Sequence, residues 1–199
     1  MDIGIGLFGL GTVGSGVVKI LQDNADQIAK RTGTHLLVKH AVVNNLEKKR
    51  TGFINNFPIT NDAKDILNNP EIQIVVEVMG TLDQAYKIIK DSLTAKKHVV
   101  TANKDLIASR GQELVAIAEA NGVDLFFEAA VAGGIPILRT LANSFTADEI
   151  SRVAGIINGT SNFILTQMTT NKLSYANALQ LAQKKGFAEA DPTNDVAGF

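Results

Sequence analysis

The hexapeptide GLGTVG at positions 9–14 constrains the fold more than any other feature of this 199-residue sequence. It follows a short apolar run at 3–8, which predicts a β-strand, and precedes a stretch with apolar residues at helical spacing. In that setting Gly9 permits a tight turn, Gly11 lets backbone amides approach a pyrophosphate, and Gly14 lets the helix pack closely. The motif therefore predicts a βαβ unit that binds a dinucleotide, with a flexible glycine turn as the alternative.

Segments typical of strands and helices alternate along the first two thirds of the chain. Further strands are predicted at 35–43, 72–78, 98–102 and 123–127, and helices at 13–30, 82–97 and 112–122. Because strands that alternate with helices form parallel sheets covered on both faces, the fold class is α/β. We predict a Rossmann-type, doubly wound parallel sheet.

The sequence changes character at Glu128, where it becomes small and glycine-rich, and Pro136 stands where a helix would begin. A strand is predicted at 149–158 and helices at 159–171 and 174–186. We predict a dinucleotide-binding domain at 1–127 and the beginning of an α+β substrate domain at 128–199. One strand and three helices are too little for a self-sufficient domain, so we expect this second part to be incomplete.

Composition excludes several classes of protein. Nineteen Lys and Arg balance twenty Asp and Glu, so neither nucleic acid nor an anionic membrane is indicated as partner. The absence of cysteine excludes disulfides, thiolate zinc sites and a cysteine nucleophile within these residues, and fits a reducing cytoplasm. The start MDIGIG lacks the basic beginning of a signal peptide, and no apolar run approaches the roughly 20 residues that span a bilayer.

The end of the second strand bears on the choice of cofactor. Asn44 and Asn45 stand where an acidic residue would bind the ribose of NAD, and Lys48, Lys49 and Arg50 follow. This favours NADP slightly. A solvated basic turn explains the three charges equally well.

Four later stretches, at 98–106, 127–137, 155–168 and 182–198, together resemble homoserine dehydrogenase. They read HVVTANKDL, FEAAVAGGIPI, GIINGTSNFILTQM and AQKKGFAEADPTNDVAG, in the order and spacing of that family. The resemblance covers nearly the whole chain. It implies reversible, NAD(P)-dependent interconversion of L-homoserine and L-aspartate 4-semialdehyde, in the route to threonine, methionine and isoleucine.

The resemblance also implies roles for single residues. Lys104, which alone would pass for a solvated surface lysine, is expected beside cofactor and substrate, where it supports proton transfer. Glu189 is expected to bind substrate, and Asp195 to be a second polar contact or an orienting group, although both would otherwise belong to an acidic loop. The expected cofactor-binding residues are Gly9, Gly11, Thr12, Val13, Gly14, Lys48, Arg50, Thr81, Lys104 and Gly186. Thr81 departs from the family, which commonly has glycine there.

In this family the glycine-rich loop holds a monovalent cation, usually sodium, through main-chain carbonyls. The matching residues are Glu128, Val131, Gly133 and Ile135. Carbonyl oxygens suit a hard cation, so we expect a structural ion there. The segment NGTSN at 158–162 is interpreted mainly as a helix cap made by Thr160 or Ser161.

The family also implies residues beyond Phe199: a further substrate-binding aspartate, a lysine assigned as proton donor, and often a regulatory domain of the ACT type. We therefore expect this sequence to be an N-terminal fragment that binds dinucleotide but turns over homoserine poorly. Exposed apolar surface would favour self-association, as a homodimer.

Two alternatives compete with this interpretation. A phosphorylating semialdehyde dehydrogenase needs a cysteine, which these residues lack. A Rossmann-type nucleotide-sensing module remains open. Clustering of Lys104, Glu189 and Asp195 would favour the dehydrogenase, and their dispersal would favour the sensor.

Overall fold

A computed structural model describes residues 2–50, 56–188 and 192–197. The chain divides into two compact units, residues 1–146 and residues 147–199. This division reflects how the residues pack. The boundary predicted at Glu128 separates a cofactor-binding from a substrate-binding domain, and it stays a prediction.

The first unit is built on a six-stranded, all-parallel sheet with the strand order β3-β2-β1-β4-β5-β6. This is the order of a doubly wound dinucleotide-binding fold, so the predicted fold class is confirmed. The strands are β1 (Asp2–Phe8), β2 (His35–Val42), β3 (Ile59–Thr60), β4 (Ile72–Glu77), β5 (His98–Thr101) and β6 (Leu125–Phe126). Its helices are α1 (Thr12–Asp23), α2 (Ala25–Thr32), α3 (Lys64–Leu67), α4 (Asp83–Thr94), α5 (Lys104–Asn121) and α6 (Ile137–Ser144).

Both faces of the sheet are covered by apolar side chains, as an all-parallel sheet requires. One core cluster includes Phe8, Val75 and Val99 of the strands with Ile89 and Leu114 of α4 and α5. The second, separate cluster includes Leu7, Ala41 and Val76 of the strands with Val18 of α1. Neighbouring residues of one strand, such as Leu7 and Phe8, belong to different clusters because successive side chains point to opposite faces.

The predicted helices and strands of this unit exist, with different bounds. The helix predicted at 13–30 is two helices, since the backbone leaves helical geometry at Asn24, with φ −116° and ψ 19°. Helix α5 begins eight positions before the predicted 112, at Lys104. Neither β3 nor α3 was predicted, because two and four residues are too few to show a periodic pattern.

The second unit contains α7 (Gly159–Thr170), α8 (Tyr175–Lys185) and α9 (Thr193–Ala197). A small core joins α7 to α8 through Ile164, Ala178 and Ala182. The two long helices match the predicted segments, and each ends where the predicted stop residue stands, at Asn171 and Gly186.

The strand predicted at 149–158 is wrong, because these residues have no regular secondary structure. A strand needs a hydrogen-bonded neighbour, and the described part of the second unit contains no other strand. The apolar pattern is therefore left exposed: Val153, Ile156 and Ile157 expose 63%, 77% and 99% of their surface.

Helix α6, at the end of the first unit, begins where the sequence predicts a helix. Pro136 precedes the first turn of α6, as expected from a residue whose φ suits a helix start.

Across the described ranges, every helix is too short or too polar to cross a bilayer.

Candidate functional site

The glycine loop connects the end of β1 to the start of α1, next to the point where the strand order reverses, between β1 and β4. Gly9 has φ +97°, a conformation that other residues rarely adopt, and its amide donates to the Val42 carbonyl at 3.0 Å. A Cβ on Gly14 would lie 2.1 Å from the carbonyl oxygen of Gly9, so only glycine lets α1 approach the loop this closely. Both positions therefore have the roles that the motif predicts.

Gly11 differs from the other two glycines because it faces open space. A Cβ built on it meets no atom of residues 2–50, 56–188 and 192–197 within 4 Å. Gly11 is also the N-cap of α1, whose first intrahelical hydrogen bond runs from the Ser15 amide to the Gly11 carbonyl. The amides of Thr12, Val13 and Gly14 thus have no acceptor inside the helix, and the positive end of the helix dipole points into the same space.

This open space fits a pyrophosphate in three respects. The first turn of α1, TVG, has no acidic side chain that would repel an anion. Thr12 and Val13 are exposed beside the loop, Val13 by 58%. Several backbone amides converge there, which is the arrangement that binds phosphate at helix N-termini.

A cavity of about 310 Å³ continues from the glycine loop to the segment after β2. Its lining includes Gly11, Asn44, Asn45, Lys48 and Arg50. In a dinucleotide site this position, beside the end of the second strand, belongs to the adenosine ribose. The basic residues singled out from the sequence therefore line the expected part of the site, except Lys49, which is exposed and is not among the lining residues.

Arg50 braces this cavity from the inside. Its guanidinium donates three hydrogen bonds to main-chain carbonyls: to Leu10 at 3.3 Å, to Lys48 at 2.8 Å and to Asn45 at 2.8 Å. It therefore ties the glycine loop to the segment after β2. A guanidinium has five N–H donors, so two remain for a ligand. The sequence indicated the charge of Arg50 but not this bracing role.

Lys104 is the first residue of α5, directly after the turn that follows β5. It is exposed, and its ammonium has no hydrogen-bond or ion-pair partner within the part of the chain that the structure describes. Asn103 caps the helix by accepting the Leu106 amide at 3.2 Å. The side-chain nitrogen of Asn103 donates to the Thr81 carbonyl at 2.8 Å, which joins the segment after β4 to the start of α5.

Thr81 and Lys104 therefore lie on joined segments at the carboxyl edge of β4 and β5. The glycine loop lies at the same edge, at the end of β1, the neighbour of β4. Ligands of doubly wound folds bind outside this edge. The structure thus brings together the predicted cofactor-side residues of the first unit.

The remaining predicted residues belong to the second unit or lie outside the described residues. Gly186 ends α8 in a left-handed conformation, φ +77°. Asp195 lies in α9, where its carbonyl accepts hydrogen bonds from Asn158 at 3.1 Å and Ser161 at 2.8 Å. Glu189 lies outside the described residues, so the clustering that would separate a dehydrogenase from a sensor stays a prediction.

The cap predicted in NGTSN exists but uses a different residue. The side chain of Asn158, not of Thr160 or Ser161, accepts the Ser161 amide at 2.8 Å and caps α7. The Thr160 hydroxyl instead lies 2.6 Å from the Phe187 carbonyl and 3.1 Å from the Asp195 carboxylate. The segment therefore both caps α7 and holds α9, a connection that a local pattern does not indicate.

The loop expected to hold a cation contains a 3₁₀ turn (Glu128–Ala130) before α6. The Glu128 carboxylate accepts the amides of Leu138 and Arg139, both at 2.9 Å, and so caps α6. The Glu128 carbonyl accepts the Val131 amide at 3.2 Å, and the Ile135 carbonyl accepts the Ile137 amide at 2.8 Å. Since a carbonyl has two lone pairs, these bonds leave each oxygen able to bind an ion.

Strand order, glycine loop and the open N-terminus of α1 define a dinucleotide-binding α/β domain of the nicotinamide-dependent dehydrogenase type. A family model described as homoserine dehydrogenase, NAD binding domain, matches residues 9–128, and a second, described as homoserine dehydrogenase, matches residues 136–199. The chain belongs to the homoserine dehydrogenase family. The resemblance inferred from the four motifs is thereby confirmed, and it favours an oxidoreductase over a sensor.

Named relatives agree with this assignment. The homoserine dehydrogenase of Bacillus subtilis is 50% identical over 197 residues, which are 99% of this chain and 46% of that protein. The crystal structure of a homoserine dehydrogenase from Thiobacillus denitrificans has a TM-score of 0.91 at 46% identity, over 98% of this chain and 45% of that one. A hyperthermophilic archaeal homoserine dehydrogenase in complex with NADPH has a TM-score of 0.79 at 28% identity, over 100% of this chain and 66% of that one. The chain thus spans about half the length of the bacterial relatives it matches.

Proposed function

We propose that the protein interconverts L-homoserine and L-aspartate 4-semialdehyde with NAD(P), in the biosynthesis of threonine, methionine and isoleucine. The observation that supports this most directly is the open space at Gly11, where the free amides at the start of α1 meet the cavity beside Lys48 and Arg50. A related archaeal enzyme of the same family is described in complex with NADPH. When bound, the cofactor would supply the hydride for reduction of the semialdehyde and accept it in the oxidation of homoserine.

Lys104 is proposed as the catalytic residue of the described part. Hydride transfer to an aldehyde develops negative charge on the carbonyl oxygen, which a neighbouring cation stabilises and a proton donor neutralises. Lys104 is supported in this role by its position at the carboxyl edge, its exposure and its lack of a competing partner within the described ranges.

Glu189 and Asp195 are proposed to bind the amino-acid part of the substrate, whose ammonium needs carboxylates. For Asp195 the support is the fixed main chain: its carbonyl accepts from Asn158 and Ser161. Gly186, which ends α8, is proposed to lie close to the cofactor. For Glu189 the proposal rests on the family motif.

NADP is proposed over NAD. Lys48 lines the cavity beside Asn44 and Asn45, where an acidic residue would select for the ribose of NAD. Arg50 retains two N–H groups that can donate hydrogen bonds to a 2′-phosphate. Both residues and the glycine-loop residues Thr12 and Val13 belong to the proposed cofactor site.

A structural sodium ion is proposed for the loop at 128–135, held by the carbonyls of Glu128, Val131, Gly133 and Ile135. The chemistry of the donor set supports it, because neutral carbonyl oxygens suit a hard monovalent cation. A rise in melting temperature with NaCl that choline chloride does not reproduce would support this site, and an equal effect of both salts would refute it.

Domain organisation and assembly remain proposals too. A functional boundary near residue 128 is supported by the two family models, which meet between 128 and 136. A homodimer is supported by the exposure of Val153, Ile156 and Ile157, which is unusual for an apolar stretch. A cytoplasmic setting is supported by the cysteine-free sequence.

The decisive experiment measures dinucleotide binding and then hydride transfer. The purified chain is titrated with NADPH and NADH, followed by nicotinamide fluorescence, and saturable binding is expected, tighter for NADPH. L-homoserine is then added to the NADP⁺ complex while the absorbance of the reduced nicotinamide is followed. A slow increase, in line with the poor turnover expected of this chain, that Lys104→Ala abolishes supports the proposed reaction, whereas failure to bind either dinucleotide overturns the proposed function.

A further inference from the structure

The last residue of β4, Glu77, is a carboxylate with none of its surface exposed. Its Oε1 accepts the backbone amide of Met79 at 2.7 Å, and its Oε2 accepts the hydroxyl of Thr101 at 2.7 Å. Burying a carboxylate is costly unless hydrogen bonds replace its water. Each carboxylate oxygen of Glu77 accepts one hydrogen bond, and these two bonds offset the cost of burying the group at the edge of the sheet.

Thr101 pairs with Glu77 in the register of β4 and β5, and it extends the contact towards the site. Its Oγ1 accepts the Asn103 amide at 3.1 Å. Asn103 in turn caps α5 with its side-chain oxygen and holds the Thr81 carbonyl with its side-chain nitrogen. A continuous chain of hydrogen bonds therefore runs from Glu77 to the residue just before Lys104.

This network joins the two segments that we place at the nicotinamide end of the cofactor. On one side Glu77 fixes Met79, in the segment that leads to Thr81. On the other side it fixes Thr101 and, through it, Asn103 at the start of α5. Because Glu77 is fully buried, it has no surface with which to touch a ligand.

We propose that Glu77 is a positioning residue, which sets the separation of Thr81 and Lys104 and thereby holds the nicotinamide half of the cofactor. The inference rests on the proposed function, since that function places Thr81 and Lys104 at the cofactor. It predicts a defect that is larger for the nicotinamide half of the dinucleotide. The Glu77 carboxylate shares no hydrogen bond with the glycine loop within the described residues, and it reaches the cavity beside that loop only through Met79, one of its lining residues.

The chemistry of the network explains why a glutamate is needed. Both of its partners, the Met79 amide and the Thr101 hydroxyl, are donors. Glu77→Gln keeps the shape but places an NH₂ group against one of them. If the Thr101 hydroxyl rotates to accept a hydrogen bond from the glutamine NH₂ group, its oxygen must accept from both that group and the Asn103 backbone amide. The hydroxyl proton, which the Glu77 carboxylate accepted, then has no acceptor.

The experiment compares two probes that differ only in the nicotinamide. NADPH contains it, and 2′-phospho-ADP-ribose lacks it. For Glu77→Gln we expect about tenfold weaker NADPH binding, because binding must then also order the two loosened segments, and a smaller loss of about twofold for 2′-phospho-ADP-ribose. The control is Glu71→Gln, an exposed glutamate just before β4 at the opposite edge, which should bind both probes like the wild type.

A second pair of variants changes the same contact from its other end. Thr101→Val removes the hydroxyl and should reproduce the NADPH defect, while Thr101→Ser retains the hydroxyl and should restore binding. This pair decides the question if Glu77→Gln fails to fold, which circular dichroism reveals. A merely structural role would weaken both probes together.

The outcomes separate the two proposals. Loss of NADPH binding with retained 2′-phospho-ADP-ribose binding supports the positioning role. Equal weakening of both probes, or unchanged NADPH binding in both Glu77→Gln and Thr101→Val, overturns it while the proposed function stands. If the wild-type chain binds neither probe, the proposed function falls, and the inference falls with it.

Discussion

The hydroxyl of Ser161 donates a hydrogen bond of 2.8 Å to the main-chain carbonyl of Asp195, 34 positions along the chain. It joins the first turn of α7 to α9, a helix of only five residues. Helices this short are unstable alone, so the position of α9 depends on such contacts. The proposed substrate residue Asp195 is therefore held by a serine that has no proposed role in catalysis.

Replacing this serine should loosen α9 selectively. Ser161→Ala is expected to cost about 1 kcal/mol locally, or about fivefold faster amide exchange at 193–197, because one hydrogen bond is lost. Hydrogen–deuterium exchange of the corresponding peptide measures it. Ser151→Ala is the control, since Ser151 is exposed and makes no hydrogen bond within the described residues. Equal exchange in both variants would contradict the role of Ser161.

The glycine loop allows stability and binding to be separated. Gly14→Ala places a methyl group 2.1 Å from the Gly9 carbonyl, so it should lower the melting temperature, with a cost of about 1–3 kcal/mol. Gly11→Ala should lower the melting temperature much less, because its φ of −85° suits alanine and its Cβ meets no described atom, which leaves only the weaker N-cap preference of alanine. The methyl group would nevertheless occupy the pyrophosphate space, so NADPH affinity should fall about tenfold or more.

Gly16→Ala provides the matched control for these two variants. Gly16 lies within α1, and a Cβ on it is also free of contacts with the described residues. Alanine stabilises a helix interior by roughly 0.5–1 kcal/mol relative to glycine, so the melting temperature should hold or rise. NADPH binding should be unchanged. If Gly11→Ala binds NADPH as tightly as Gly16→Ala, the pyrophosphate does not lie at Gly11.

The basic residues after β2 should differ in what they recognise. Lys48 lines the cavity, and only its main-chain carbonyl takes part in the hydrogen bonds of Arg50. Lys48→Ala should therefore lower the affinity for NADPH several-fold and leave the affinity for NADH unchanged. Arg50→Ala should weaken both, because it releases the glycine loop from the segment after β2. Fluorescence titration with both cofactors measures this, with Lys49→Ala as control. Equal losses of both cofactors in Lys48→Ala would remove the preference for NADP.

Much of this fold was predictable because its signals are local. The glycine motif specified one turn, and apolar runs such as 72–78 identified strands that are buried on both faces. The same reasoning failed at 149–158, where an equally apolar run forms no strand. A strand depends on a partner, and a partner's position is not encoded in the periodicity of one segment.

The candidate site was predictable to the same extent. Motif positions identified Gly9, Gly11 and Lys104, and the structure places them at one edge of the sheet. Sequence reasoning missed Glu77, because a glutamate at the end of an apolar strand resembles a solvated residue. Only the pairing of β4 with β5 brings Thr101 to its carboxylate and buries it.

Lys97 lies just before β5, at the end of the strand opposite Thr101. We expect it to make the free energy of unfolding depend on pH in the alkaline range. Only 6% of its surface is exposed, and its ammonium donates to the carbonyls of Asn69 at 2.7 Å and Ile72 at 2.6 Å. Burial lowers the pKa of Lys97 below the ordinary value of 10.5. Between these two pKa values the unfolded chain binds a proton that the folded chain has released.

The free energy of unfolding should therefore contain a component that rises with pH, from the lowered pKa of folded Lys97 up to about 10.5. Urea titrations at a series of pH values up to about 10.5 measure it. Lys97→Met removes the titrating group and should flatten this component. It should also cost about 1–3 kcal/mol near neutral pH, since two carbonyls lose their donor. Lys96→Met is the control, because Lys96 is exposed and its pH profile should match the wild type. An alkaline rise that persists unchanged in Lys97→Met would show that other groups produce it.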